Sequence, residues 1–485
     1  MLLLEILYGF LAAWLALYGL NSLLLSLLYL WLRRREPPPT IPPDVWPTVT
    51  VQLPIYNELH VAERAVAAAA ALDYPRDLLQ IQVLDDSTDE TRTIARRAVE
   101  RHARQGTDIQ YVHRSDRAGF KAGALAEGLR QARGELIAIF DADFVPATDF
   151  LRRVVPHLSA ADVGCVQARW DHLNRDYSML TRAQAMGIDG HFAVEQRVRC
   201  ESGFLLNFNG SAGVWRRACI ADAGGWHTDT LTEDLDLSYR AQLRGWRILY
   251  LPNVRAAAEL PPQFDALRRQ QARWAQGSIE VARKILPRLL RSGQPWAVKV
   301  EGALHLTGYM VHPLLLATLL LTLPMVLTNS RMSALVPYCF LATAGPPLLY
   351  LVAQSERGTG WWRELRCAPL LLLLGMGLAL NNSVAMARAF LGQQGSFQRT
   401  PKFAVHRGGD RWQDSAYALR CPRLVWGELL LAGFALLCGV LAAGGAARTL
   451  SFWLVLYALA YSFVAVLSLA QALDRHHRAA AQAKA

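Results

Sequence analysis

The sequence predicts an α/β domain with a mostly parallel sheet, inserted between transmembrane α-helices. Three observations carry that prediction. Hydrophobic residues make up 52% of the 485 and charged residues only 19%, against about 45–50% and about 25% in soluble globular chains. Six apolar runs flank one stretch of mixed charge, residues 49–299. Within that stretch short apolar runs alternate with helical ones, as βαβ units do. The composition excludes disorder, collagen-like repeats and an ordinary soluble enzyme.

The first run, Met1–Leu32, carries Glu5 as its only charge and ends in Arg33-Arg34-Arg35 and then Pro37–Pro39. It is long enough to span the hydrocarbon core, which takes about 20 residues of helix. It has no basic n-region and exceeds the roughly 7–15 apolar residues of a signal peptide, so it reads as an uncleaved anchor. Five further runs lie at 305–328, 334–354, 368–391, 425–444 and 450–473. Arg33–Arg35 place the mixed-charge domain on the cytoplasmic side, and Arg475, His476, His477, Arg478 and Lys484 place the tail there too. An outside N-terminus and an inside C-terminus require an odd number of crossings. One run therefore stays out of the bilayer. The weakest is 368–391, with Asn381, Asn382 and Arg388, because amides and a guanidinium at bilayer depth are costly. It is expected as an interfacial helix that keeps them wet. The alternative is a sixth crossing, with the Asn pair buried against other helices.

The expected organisation is thus a transmembrane helix (1–36), a cytoplasmic domain with interfacial helices (45–300), and two transmembrane helices (301–356). An interfacial helix and loop segment (357–424) follows, then two transmembrane helices with a basic tail (425–485). Seven cysteines, at 165, 200, 219, 339, 367, 421 and 438, show no CxxC or Cys/His ligand spacing. They are expected as reduced thiols, forming neither a disulfide framework nor a zinc site.

In the domain, Thr48–Leu53, Ile81–Leu84, Ile109–Val112 and Leu136–Phe140 read as buried strands, with helices over Leu59–Leu72 and Thr91–Arg104 between them. Ligands bind at the carboxyl ends of strands in such sheets. The first strand is followed by Pro54-Ile55-Tyr56-Asn57-Glu58, the second by Asp85-Asp86-Ser87-Thr88-Asp89, the fourth by Asp141-Ala142-Asp143. No GxGxxG or GxxxxGK[ST] is present, which excludes the dinucleotide and P-loop arrangements. Acidic strand tips suit a divalent cation that holds nucleotide phosphates, since Mg2+ takes one or two carboxylates plus phosphate oxygens. For Asp85-Asp86 the competing reading is an Asx-type turn capping a helix over Thr88–Ala95. Asp141-x-Asp143 alone is a weak motif; its place after an apolar strand is what informs.

Lys121, in Arg117-x-x-x-Lys121-Ala122-Gly123, is placed to neutralise a diphosphate; a solvated surface lysine is the alternative. Phe208–Gly213 is a small-residue loop that permits close backbone approach to a ligand, or a plain turn. Thr232-Glu233-Asp234 opens a helix over Leu235–Leu243, so one acid is expected as its cap. Gln270-x-x-Arg273-Trp274 follows, where Trp274 also suits a membrane surface. Arg283, Lys284, Arg288 and Arg291 interleave with Ile279, Val281, Ile285 and Leu289, as in an amphipathic helix lying on anionic lipid.

In order, YNE, DDST, KAGAL, DAD, FNGSAG, TED and QxxRW resemble the membrane-embedded glycosyltransferases of family 2, from Val49 through Gly277. That family includes cellulose synthase, plant mannan synthases of the cellulose-synthase-like A type, and hyaluronan and curdlan synthases. DDST, FNGSAGVW and TEDLDL look closest to the mannan-synthase branch. Phe397-x-Arg399-Thr400-x-Lys402 is similar to the FxVTxK gating loop of cellulose synthase, with Arg399 where that loop has Val. A gating loop must reach the cytoplasmic nucleotide, in agreement with five crossings.

The resemblance implies a nucleotide-sugar-binding domain of the glycosyltransferase A type. It implies that Tyr56, Glu58, Asp85 and Asp86 contact the base and ribose of the donor, and that Lys121, Asp141 and Asp143 hold its diphosphate. Asp141 and Asp143 would do so through Mg2+ or Mn2+. Asp234 would be the general base, Gln270 and Arg273 would bind the leaving diphosphate, and Trp274 with Glu233 would meet the acceptor. Phe397, Thr400 and Lys402 would form the gating loop. The implied activity is an inverting β-glycosyltransferase that uses UDP-glucose or GDP-mannose to extend a β-glucan or mannan-type polysaccharide. The alternative is a glycolipid synthase adding one glucose to diacylglycerol or ceramide. The expected setting is a multi-pass protein of a bacterial inner or plasma membrane, in contact with lipids. Nucleic acid is not an expected partner, because positive-inside residues already account for the net charge of +11. A receptor binding a nucleotide sugar without turnover has no need of a base at Asp234.

Overall fold

The computed structural model describes residues 2–34, 42–328, 336–358, 360–393, 398–407, 409–444 and 448–482. Eight strands form one sheet: β1 (Val49–Ile55), β2 (Leu79–Asp85), β3 (Ile109–His113), β4 (Leu136–Ile139), β5 (Val145–Pro146), β6 (Val163–His172), β7 (Gly213–Arg216) and β8 (Arg247–Ala258). Their order is β3-β2-β1-β4-β7-β6-β8-β5. The pairs β1–β2, β2–β3, β1–β4 and β6–β8 are parallel; β4–β7, β6–β7 and β5–β8 are antiparallel. The four strands anticipated from the sequence are the first four, because strands covered on both faces must be near-continuous apolar runs.

Within β1–β3 one face is polar yet buried. Thr50 Oγ1 donates to Gln80 Oε1 (2.8 Å), and Gln52 Nε2 donates to Gln82 Oε1 (3.0 Å). These rungs pair buried polar side chains between neighbouring strands. The opposite face carries Val49, Val51, Leu53, Ile81 and Val83 into the main core. Because β7 runs antiparallel to β4, the loop before β7 arrives at the edge where β1, β2, β4, β6 and β8 end. The segments 56–58, 86, 141–143, 170–172, 209–212 and 258–259 lie on that edge.

Among the described residues five helices are long and apolar enough to cross a membrane: Leu2–Leu32, Gly308–Leu327, Trp361–Phe390, Leu424–Ala443 and Ser451–Arg478. The chain is a multi-pass membrane protein. Helix Val336–Ser355 packs along the first helix, and a Cβ at Gly345 would collide with the Gly19 carbonyl. Such small-residue contacts let membrane helices approach closely. Leu430, Leu437 and Val440 point outward from the bundle, as lipid-facing side chains do.

Two expectations are corrected here. The amides of Asn381 and Asn382 are not wet: both residues are buried. Asn381 Nδ2 donates to the Arg268 carbonyl (3.0 Å) and to Asn382 Oδ1 (2.9 Å), so protein groups replace water. The segment is broken at Leu378 into helices Ala368–Gly377 and Ala379–Phe390, and it belongs among the span-length apolar stretches. Second, the helix expected from Thr88 begins at Thr91, where Asp89 Oδ1 accepts from the Thr91 N–H (2.9 Å). The six described cysteines are free thiols.

Candidate active site

The carboxyl edge of the sheet opens into a cleft lined by Tyr56, Glu58, Asp86, Lys121, Asp141, Asp143, Glu233, Asp234, Gln270, Arg273, Trp274, Thr400 and Lys402. It therefore gathers nearly every residue singled out from the sequence. Two stand apart. Asp85 is fully buried beneath the tip of β2, where its carboxylate accepts from the Ser87 N–H (3.0 Å) and from Tyr111 Oη (2.6 Å). It builds the turn and does not face the cleft, because consecutive residues of a strand point to opposite sides. Phe397 lies outside the described residues.

At one end of the cleft the Arg117 guanidinium stacks 3.4 Å from the Tyr56 ring centroid, a cation–π contact. Arg114 forks onto Asp86 through Nε (2.8 Å) and Nη2 (2.5 Å), fixing the carboxylate with bidentate geometry. At the centre Lys121 Nζ donates to Asp141 Oδ1 (2.5 Å) and to the Gly210 carbonyl (2.8 Å), with Glu233 at 3.8 Å. Burial pulls the Lys121 ammonium down, but Asp141 and Glu233 more than offset it and its pKa is raised.

Asp234 sits in the first turn of helix Glu233–Leu243. The expectation that an acid caps this helix is not met: Thr232 is the N-cap, without a side-chain cap bond, and both acids are left to the cleft. Burial, helped by Glu233, pushes Asp234 up to about 7, against the opposing pull of Lys121. Gly210, at φ +82°, lies so close that a Cβ there would sit 2.7 Å from Asp234 Oδ2. Gly210→Ala is therefore expected to strain the backbone by about 1–2 kcal/mol and push the carboxylate aside. Sugar transfer should fall by about 100-fold, the scale of a 1 Å misplacement; an unchanged rate would show that Asp234 needs no such fit.

The segment 398–407 closes over the other side. Lys402 Nζ donates to Asp143 Oδ2 (2.6 Å), and Arg399 Nη1 donates to Glu58 Oε2 (3.2 Å) while the Arg399 guanidinium carbon lies 4.0 Å from the Tyr417 ring centroid. Glu259, one residue past β8, accepts from the N–H groups of Phe403 (2.7 Å) and Ala404 (2.9 Å). Burial raises Glu259 and pushes Glu58 up to about 8, despite Arg399 and Lys402 beside the latter. Glu259 is a site residue that the motif reading missed, and Arg117 and Arg399, which stand inside quoted motifs, carry no site role in that reading. Glu259 had a signal: like the recognised acids, it directly follows an apolar strand end, Ala256-Ala257-Ala258.

The lining holds eight carboxylates against five lysines and arginines. Acid in excess, with three of these groups driven towards protonation by burial, is the chemistry of a site completed by a cation. The residues present thus fit a divalent metal.

The family model described as "Glycosyltransferase like family 2" matches residues 47–277. Residues 47–277 are a family 2 glycosyltransferase domain. The chain is 44% identical over 259 residues to glucomannan 4-beta-mannosyltransferase 1 of Oryza sativa subsp. japonica, covering 52% of this chain and 50% of that protein. It is 46% identical over 252 residues to glucomannan 4-beta-mannosyltransferase 2 of Arabidopsis thaliana, covering 51% and 47%. The chain thus spans about half the length of the curated relatives it matches. These relatives are plant proteins, which lends no support to the expected bacterial membrane. A solved structure, mannosyltransferase PcManGT from Pyrobaculum calidifontis in complex with GDP-Man and Mn2+, aligns with TM-score 0.50 at 23% identity, covering 80% of this chain and all of that one. It shows the fold: the family 2 domain is of the glycosyltransferase A type, set between membrane helices.

Proposed function

We propose that this protein is an inverting β-hexosyltransferase that transfers mannose from GDP-mannose to a growing mannan-type polysaccharide, on the cytoplasmic side of its membrane. The observation that carries the reading is the cleft itself, where Asp234 faces the Lys121–Asp141 pair and the QxxRW helix. The similarity to glucomannan mannosyltransferases and to a GDP-Man-bound fold supports mannose over glucose.

In this reading Tyr56, Arg117 and Asp86 receive the nucleoside, and Lys121 meets the diphosphate. Asp141 and Asp143 would hold Mg2+ or Mn2+, which supplies charge against the leaving diphosphate. Asp234 takes the proton of an acceptor hydroxyl while that hydroxyl's oxygen attacks the anomeric carbon from the face opposite the departing phosphate. The C1–O bond to the diphosphate breaks with its electron pair, and an α-linked donor gives a β-linked product. Gln270 and Arg273 meet the negative charge that develops on the leaving group, and Trp274 underlies the acceptor sugar. One carboxylate suffices, whereas hydrolysis of a glycoside needs two. Lys402, hydrogen-bonded to Asp143, lines the same cleft and would add positive charge there.

A base with pKa near 7 must be ionised to act. For the free enzyme kcat/KM is therefore expected to rise about tenfold per pH unit below 6 and to level off above 8, as Asp234 loses its proton. Initial rates between pH 5.5 and 9 check this; a flat profile removes Asp234 from the role. The function is tested by incubating membranes with radiolabelled GDP-mannose and UDP-glucose separately, then partitioning the product. Label in an insoluble, mannanase-digestible pellet from GDP-mannose is the expected result. Label in organic solvent means a glycolipid, and no label means no transferase.

A further inference from the structure

The helix that carries QxxRW, Phe264–Arg291, continues well past the cleft. Gln270, Arg273, Gly277, Glu280 and Lys284 recur at three- and four-residue steps, so they share one face. The first two line the cleft. The other three meet the segment that delivers Asp234.

Thr232 packs directly on Gly277, where a Cβ would lie 2.6 Å from Thr232 Cγ2 and 3.0 Å from its backbone nitrogen. Glu280 Oε2 accepts from the Leu231 N–H (2.8 Å), and Gln276 Nε2 holds the other oxygen (2.9 Å). Lys284 Nζ donates to His227 Nδ1 and Asp229 Oδ1, both at 2.9 Å, and ion-pairs with Asp236 Oδ1 at 2.9 Å. Asp236 is fully buried and also receives Arg240 Nε (2.8 Å). Asp234 is thus bracketed: its chain is pinned at 231–232 just before it and at 236 just after it. The ligand atoms of His227, Asp229 and Asp236 lie within 4.8 Å of one another, a spacing that by itself suits a metal. Here the lysine ammonium already sits among them and supplies the cation.

We infer that Glu280 and Lys284 are positioning residues that hold Asp234 against the acceptor, so that one helix places both the leaving-group residues and the base. This rests on Asp234 being the base. The clamp acts through the geometry of 231–236 and touches neither donor nor acceptor. Its loss therefore changes the chemical step and leaves donor binding in place.

The test uses full-length protein in membranes or detergent. Lys284→Met, which keeps the stem and removes the charge, is expected to lower kcat about 10- to 100-fold with donor KM within about twofold. Lys284→Arg is expected to recover kcat to within about fivefold of wild type. Glu280→Ala should show the same split and decides the matter if Lys284→Met does not fold. Wild-type kcat in these variants overturns the inference, and so does a parallel loss of donor affinity, the mark of general collapse. If the unaltered protein turns over neither donor, the proposed function is wrong and amide hydrogen exchange decides the clamp separately. Faster exchange at 229–236 in Lys284→Met supports it, and unchanged protection overturns it.

Discussion

Asp234→Asn is expected to bind donor as tightly as the unaltered protein and to transfer sugar about 10³-fold more slowly. Asparagine keeps the shape of the side chain, and its oxygen still accepts the Leu235 N–H that Asp234 Oδ1 accepts at 2.9 Å. What disappears is the ability to take a proton, and a positioned base contributes about 10²–10⁴-fold. The donor contacts proposed for Tyr56, Asp86 and Lys121 are left intact, so equilibrium binding of the nucleotide sugar isolates the chemical step. Glu233, adjacent in sequence and 3.8 Å from Lys121, is the control: Glu233→Gln should slow transfer far less. Transfer by Asp234→Asn within tenfold of the normal rate would move the base elsewhere.

Asp143→Ala is expected to abolish detectable transfer, and chelation of divalent metal should do the same to the unaltered protein, reversibly on return of Mn2+ or Mg2+. In the proposed role of Asp143 its loss leaves the cleft one anchor fewer for the cation, and a diphosphate carrying two charges must then enter facing Asp141, Glu233, Asp234 and Glu259. A loss of metal-assisted leaving-group stabilisation amounts to several kcal/mol, or about 10³-fold or more in rate. Lys402 is released in this variant, since Asp143 Oδ2 is its 2.6 Å partner, but a single ammonium does not replace two positive charges. Full activity in chelator would remove the metal from the mechanism and leave Lys121, Lys402 and Arg273 as the phosphate-neutralising set.

Much of the site is legible in the chain because strand tips are local features. A parallel strand covered on both faces must be apolar throughout, so β1, β2 and β4 announce themselves. The residues after them must lie at the binding edge, which is how Tyr56, Glu58, Asp86, Asp141 and Asp143 are found without coordinates. The same logic fails within Asp85-Asp86. Both acids sit at the tip of the same strand, and the hydrogen bonds from Tyr111 and Ser87 hold one of them inward. Glu259 has the local signal but no partner in sequence: its carboxylate is used by Phe403 and Ala404, more than 140 residues away.

The membrane part divides in the same manner. Hydropathy finds every span-length segment, since crossing the hydrocarbon demands length and apolarity whatever the neighbours are. It misplaces Asn381 and Asn382, because the cost of an amide depends on whether protein or lipid surrounds it. The Arg268 carbonyl that receives Asn381 lies 113 residues earlier. Sequence by itself determined the division into membrane helices and an α/β domain, the edge at which chemistry occurs, and the acids and bases available there. Tertiary structure alone decided which acid of a pair faces the cleft, that Glu259 joins it, and that Lys284 pins the segment bearing Asp234. The physical reason is that periodicity and apolarity act through near neighbours. Ion pairs and buried hydrogen bonds depend on where distant segments are brought to rest.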